Sequence, residues 1–133
     1  VNIYTASKFE RYAQVREYNR RLRNYGHTIT WDWTTTDEFD DDGRPKPGFS
    51  DLKRHEYAML DYAGVHACDL LIFWDHKDAN GARWEAGGAL WTGKQVWIID
   101  CVAPSIFIVL PQVRLLSGWS EALSLLNPIN TLL

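Results

Sequence analysis

Cysteine is scarce in this chain. Cys68 and Cys101 are the only two in 133 residues. That is too few for a disulfide framework, and their surroundings lack metal-type Cys/His spacing. Both read as ordinary buried or half-buried thiols, and neither a metal nor a cofactor is expected. No apolar run reaches the length of a membrane span and no signal-like leader is visible, so a cytoplasmic protein without a membrane partner is expected. The chain begins with Val1 instead of Met, as a trimmed start would. Positive charge is not in excess: 14 Lys and Arg stand against 17 Asp and Glu, a net charge of −3. A general binder of nucleic acid polymers carries a basic stripe, so none is expected as a partner. A small phosphorylated ligand needs only a local pocket and stays open. Repeats, linkers and a glycine-rich phosphate loop are also missing. What is plentiful is apolar surface. Hydrophobic residues make up 46%, enough for one globular domain spanning 1–133. Seven tryptophans belong mostly to a core, with one or two available to stack on a ring.

Hydrophobic periodicity divides the chain into alternating elements. Residues 1–6 form a short apolar strand. Residues 7–24 have helical spacing, with Tyr12, Val15 and Leu22 on one side and arginines elsewhere. Gly26 ends that helix. The Ser7-Lys8 turn with Arg11 is a candidate anion site, because a strand-to-helix turn presents free N–H groups; a basic solvated helix face meets the same pattern. Residues 27–33 alternate as a second strand through Ile29, Trp31 and Trp33. Residues 34–49 form a polar loop. Its Asp40, Asp41 and Asp42 lack the calcium-loop pattern and read as solvated acids. Ser50 is an N-cap for a helix to about residue 67, with Leu52, Met59, Leu60 and Ala63 as its apolar face and Asp61 among them. Strands are expected at 69–75, 95–100 and 106–110, and helices at 81–92 and 119–126. This order predicts an α/β fold with a five-stranded, mostly parallel sheet and helices on both faces.

The central stretch is 69–90: a buried strand framed by Asp69 and Asp75, a polar loop, and a helix carrying Glu85 among Ala86, Gly87, Gly88 and Ala89. These neighbours have almost no side chain, so another body can approach closely. A carboxylate on a helix that follows a parallel strand lies where open α/β sheets bind ligands. A solvated helix glutamate meets the spacing equally well.

Several pieces together resemble the nucleoside 2-deoxyribosyltransferase family, in particular its branch of 2′-deoxynucleoside 5′-monophosphate N-glycosidases. They are Ile3-Tyr4 on the first strand, Asp61 in a helix, and Asp69 eight residues later. The last is Glu85 in Gly81-x-x-x-Glu85-x-Gly87-x-Ala89, followed by Gly93-Lys94. The resemblance covers roughly residues 1–100. It implies a flavodoxin-like (Rossmann-like) sheet and a homodimer in which the neighbouring subunit completes the pocket. It also implies a small-molecule nucleoside or nucleotide substrate and a glutamate nucleophile. Carried over, Glu85 attacks the anomeric carbon, Asp61 positions the base or assists its departure, and Tyr4 holds the glutamate. Ser7, Lys8 and Arg11 fall in the turn that meets a 5′-phosphate. Asp69 reads as a structural cap of its strand.

The family pattern is not complete. Ala79 stands where Ser or Asp is usual six residues before the glutamate. Asp78 or Asn80 is the substitute, and Gly81 lies in the same loop. Arg83 stands where small residues are common. Ser117 and Asn127 are the candidates for a residue lent across the dimer. Trp74 and Trp84 either border the pocket or belong to the core. Three functions are therefore weighed. The first is N-glycosidic hydrolysis or base transfer on a nucleoside or its 5′-monophosphate. The second is glycohydrolysis of NAD or another ADP-ribose compound. The third is nucleotide binding without catalysis, to which Ala79 points.

Overall fold

The structure, a computed structural model, describes residues 1–35, Lys46 and 51–131. Five strands form one sheet: β1 (Asn2–Ala6), β2 (Thr28–Ile29), β3 (Leu70–Trp74), β4 (Gln95–Ile99) and β5 (Val113–Leu116). Their spatial order is β2-β1-β3-β4-β5, and every neighbouring pair is parallel. This is the flavodoxin-like order, with its reversal between β1 and β3. The helices are α1 (Tyr12–Asn24), α2 (Asp51–Ala67), α3 (Asn80–Trp91), α4 (Trp119–Leu126) and α5 (Pro128–Thr131).

The strands are apolar on both faces because helices cover both. Tyr4, Ala6, Leu71, Phe73 and Val96 pack with Val65 of α2 and the alanines of α3. Ile3, Leu70, Ile72 and Ile99 pack on the other face with Leu22 of α1 and Trp119, Ala122 and Leu123 of α4. Full burial of each Leu or Ile contributes about 1.5–3 kcal/mol. Ala82, Ala86 and Ala89 are the buried face of α3, and their small side chains bring that helix close to the sheet. Two helices end on glycines with positive φ, Gly26 at 93° and Gly93 at 81°. In each, the next residue reaches back into the last turn, His27 N–H to Leu22 O and Lys94 N–H to Ala89 O. This is the Schellman arrangement that only glycine adopts without strain.

Four expectations need correction. The second strand pairs over two residues and not over 27–33, because Asp32 starts a turn. Its Oδ1 accepts from Thr34 N–H, and a 3-10 helix (Trp33–Thr35) follows. The first helix begins at Tyr12, after a 3-10 turn (Phe9–Arg11). The fifth strand is at Val113–Leu116 and not at 106–110. Ser105 Oγ accepts from Phe107 N–H, Ile108 N–H bonds Ser105 O, and Leu110 N–H bonds Phe107 O. Those donors are spent locally, so the run winds into a 3-10 helix (Ile106–Val109) instead of pairing with β4. Finally, the apolar residues of α2 do not face the core. Leu52, Met59 and Leu60 are exposed, as is Ala63, and only Gly64 and Val65 of this helix are buried. The acid run at Asp40, Asp41 and Asp42, its polar loop, and the Ser50 N-cap lie outside the described residues. Among the described residues, no helix is long and apolar enough to cross a membrane.

Gly64 is the point where α2 meets the sheet. Alanine for glycine inside a helix normally gains about 1 kcal/mol. Here a Cβ would fall 2.6 Å from Trp31 Cβ and 3.0 Å from two ring carbons of Tyr4. Gly64→Ala is therefore expected to lose about 1–3 kcal/mol through overpacking, read as a lower urea midpoint at unchanged m-value.

Candidate active site

The carboxyl ends of β1 and β3 open into a cavity of about 370 Å3. Strand order reverses at this edge, and the loops after the two strands diverge to leave a crevice. Tyr4 comes from β1, Ser7, Lys8 and Phe9 from the turn after it, and Trp33 from the 3-10 turn beyond β2. Tyr57 and Asp61 come from α2, one helical turn apart and so on one face. Asp78, Ala79, Asn80, Gly81 and Glu85 complete it from the loop after β3 and the first turns of α3. Phe9, Trp33 and Tyr57 give the lining an aromatic part, and Asp61 and Glu85 an acidic one.

The two acids meet through Tyr4. This tyrosine is fully buried, yet its hydroxyl donates a short hydrogen bond to Glu85 Oε2 and also interacts with Asp61. Burial among apolar groups, with the two carboxyls beside it, drives the Tyr4 hydroxyl well above its ordinary value of 10.0. It stays protonated and serves as a donor. Burial raises Glu85 to about 8; the Tyr4 bond pulls the other way, and the charge of Asp61 pushes further up. Burial raises Asp61 to about 6, opposed by hydrogen bonds from Trp31 and Tyr4. Burial disfavours ionisation of both acids, and the pair titrates as a coupled unit. Two carboxyls pushed apart in this way are suited to exchanging acid and base roles.

At the cavity's polar end Ser7 is buried and its Oγ has no hydrogen-bond partner. Lys8 Nζ lies 3.4 Å from His76 Nε2. Ala79 occupies the N-cap of α3, so no side chain caps that helix. An uncapped helix start beside a lysine and a serine hydroxyl is an environment for an anion.

Of the residues singled out from sequence, Glu85, Asp61, Tyr4, Ser7, Lys8, Asp78 and Gly81 line this one cavity. Arg11 does not. Its guanidinium lies 4.0 Å from the Trp74 ring centre and donates to Asp75 O at 3.2 Å. Arg83 also turns away, donating to Asp75 Oδ1 at 2.8 Å and His76 O at 3.0 Å. Buried Asp75 also receives His76 N–H at 2.8 Å and Val102 N–H at 3.0 Å. That cluster ties the loops after β3 and β4 together. Asp69 lies at the opposite, amino end of β3, where its Oδ2 accepts from Asn2 N–H at 3.3 Å. Trp74 packs with Tyr18 and Trp119. Trp84 is 85% exposed and edges a second groove of about 420 Å3 between α2 and α3. Asp61 and Glu85 border that groove too.

Sequence reasoning missed the aromatic part of the lining and Trp31. The indole Nε1 of Trp31 donates to Asp61 Oδ1 at 3.0 Å. A signal was present, because a half-buried tryptophan must find an acceptor for its N–H, but not which acceptor. Among the described residues no group of three or more His, Cys, Asp or Glu side chains could hold a metal ion. No protein-family model matches the chain, and no curated protein matches it.

The raised carboxyls make stability depend on pH. Folded Glu85 holds its proton up to about 8, against 4.5 ordinarily. Its contribution is complete below the lower value and is lost as pH rises through the higher one. Asp61 acts in the same direction at lower pH, between 3.8 and about 6. The urea midpoint of the wild type is expected to fall steadily from pH 5 to pH 8. Glu85→Gln, which keeps the shape and cannot ionise, is expected to flatten the part above pH 6. Parallel curves for the two proteins would exclude ionisation of Glu85 in that range.

Proposed function

We propose that this protein cleaves the N-glycosidic bond of a nucleoside or nucleoside 5′-monophosphate, with Glu85 as nucleophile. The observation that carries the reading is the pair of carboxyls, Glu85 and Asp61, joined by the Tyr4 hydroxyl in a cavity also lined by Phe9, Trp33 and Tyr57. Cleavage builds positive charge on the sugar ring. A carboxylate facing that charge stabilises the transition state and can close onto the anomeric carbon as an ester. The base leaves more readily as a neutral molecule, which requires a proton from an acid beside it. Glu85 and Asp61 take the two roles, as paired carboxyls do in retaining glycosidases. Water on the ester gives hydrolysis; a second base gives transfer.

Attack requires Glu85 ionised and a proton on Asp61. The Tyr4 hydroxyl, which donates to Glu85 and also interacts with Asp61, can relay a proton between them. Once the hydroxyl turns from Glu85 towards Asp61, a protonated Glu85 donates to the phenol oxygen as the phenol proton moves to Asp61, and no net charge is created. Positive charge growing on the sugar favours ionised Glu85 and drives the transfer. Ser7, Lys8 and the open start of α3 suit a 5′-phosphate; Arg11 is engaged with Trp74 and Asp75 and is not part of this subsite. One observation favours nucleotide binding without catalysis: Ala79 offers no side-chain hydrogen bond to a sugar.

The test is chromatography of a panel of ribo- and deoxyribonucleosides, their 5′-monophosphates and NAD, with and without an acceptor base. Free base is expected from a nucleoside or nucleotide lane, and a loss of at least about a thousandfold with Glu85→Ala. Nicotinamide release would favour the ADP-ribose reading. A nucleotide that raises the melting temperature without turnover would favour a binding module.

The same reading includes a second copy of the chain. Tyr62 and Trp84 are exposed where they line the groove that borders Asp61 and Glu85, and Leu52, Met59 and Leu60 are exposed elsewhere on α2. A second subunit there would bury this apolar surface and close the site's outer side. Sedimentation is expected to give twice the chain mass, and Trp84→Glu is expected to shift it to the monomer.

A further inference from the structure

We propose that Trp31 is a positioning residue for Asp61: the segment after β2 clips onto α2 and presents the indole N–H to one carboxylate oxygen, leaving the other for the departing base. The proposal rests on the N-glycosidase reading of the site.

Two adjacent residues make the clip. Thr30 Oγ1 donates to Gly64 O of α2 at 2.6 Å, while Thr30 N–H continues the sheet by bonding Ile3 O at 3.0 Å. The next residue, Trp31, donates from Nε1 to Asp61 Oδ1 at 3.0 Å. The segment is therefore tied at once to β1 and to two points of α2 that lie one turn apart. Gly64 makes the approach possible, since the backbone there comes so close that a Cβ would meet both Trp31 and Tyr4.

This accounts for two otherwise separate facts. The alternating run from 27 to 33 leaves the sheet after Thr30, and the segment up to the Asp32 turn lies against α2. The front part of α2 stands off the core with its apolar residues exposed, yet Asp61 is held. An aspartate on a thinly packed helix is held by a neutral donor. Among the described residues, the ionisable groups beside Asp61 are Tyr4 from β1, Glu85 from α3 and Tyr57 one turn earlier on α2; the segment after β2 adds the uncharged indole. The indole bonds Oδ1, and on the proposed reading Oδ2 is the oxygen that takes the proton passed by Tyr4 and offers it to the base.

An indole N–H bonded to a carboxylate favours the ionised form, and its loss raises the midpoint. The first measurement uses the wild type. The Trp31 indole 1H–15N signal, followed from pH 4.5 to 9, is expected to step with a midpoint near the Asp61 value of about 6, and Asp61→Asn is expected to abolish the step. The second uses Trp31→Phe. The Asp61 carboxyl 13C midpoint is expected to rise by about one pH unit. On the substrate found by the panel, kcat is expected to fall about tenfold to a hundredfold with KM little changed. A wild-type indole signal that ignores Asp61 ionisation overturns the proposal. So does a folded Trp31→Phe protein with an unshifted midpoint and pH profile. If the step is present but no panel member turns over, the Trp31–Asp61 coupling stands and the glycosidase reading fails; turnover without the step has the opposite meaning.

Discussion

A tyrosine hydroxyl buried between two carboxyls is the constraint on which the site depends. Tyr4 has no exposed surface, and its backbone is locked into the sheet between β2 and β3. Its position is set by the most rigid part of the molecule. Asp61 and Glu85 reach it from two different helices. Unpaired, each half-buried carboxyl would be costly. Joined through one donor, the two titrate as a unit.

The surrounding packing is unequal in a way that follows from this. α3 lies close to the sheet on Ala82, Ala86 and Ala89, so Glu85 projects from a fixed platform. α2 meets the core only near Gly64 and Val65, and Asp61 sits where the helix is leaving the sheet. Bonds from Thr30 and Trp31 supply the fixation that core packing does not. On the far side of β3, the Asp75 cluster spends Arg11 and Arg83 on joining loops. The cavity is consequently less basic than the sequence around it, with Lys8 as its lysine or arginine lining residue.

Much of the fold was legible in the residues. Apolar strands alternating with helical periods, and glycines just past two helix ends, require a parallel sheet with covered faces. These are local signals, read from neighbours a few positions apart. The departures came where local and tertiary demands compete. The 106–110 run has strand composition, but Ser105 captures the first free donor and winds it into a turn. The apolar residues of α2 have helical spacing, and spacing alone does not say whether a core or a surface will meet them.

For the site the division is similar. The sequence by itself determined the acids, the small residues around Glu85, and the turn after β1, because each depends on residue type and short spacing. Tertiary structure alone decided the rest. It placed a β1 tyrosine between two helices, turned Arg11 and Arg83 out of the cavity, and set an indole 30 positions away against Asp61. Such contacts depend on how closely packed elements approach, and no periodicity within a segment encodes that distance. The proton balance of the acid pair is likewise tertiary, since burial is the largest influence on both carboxyls.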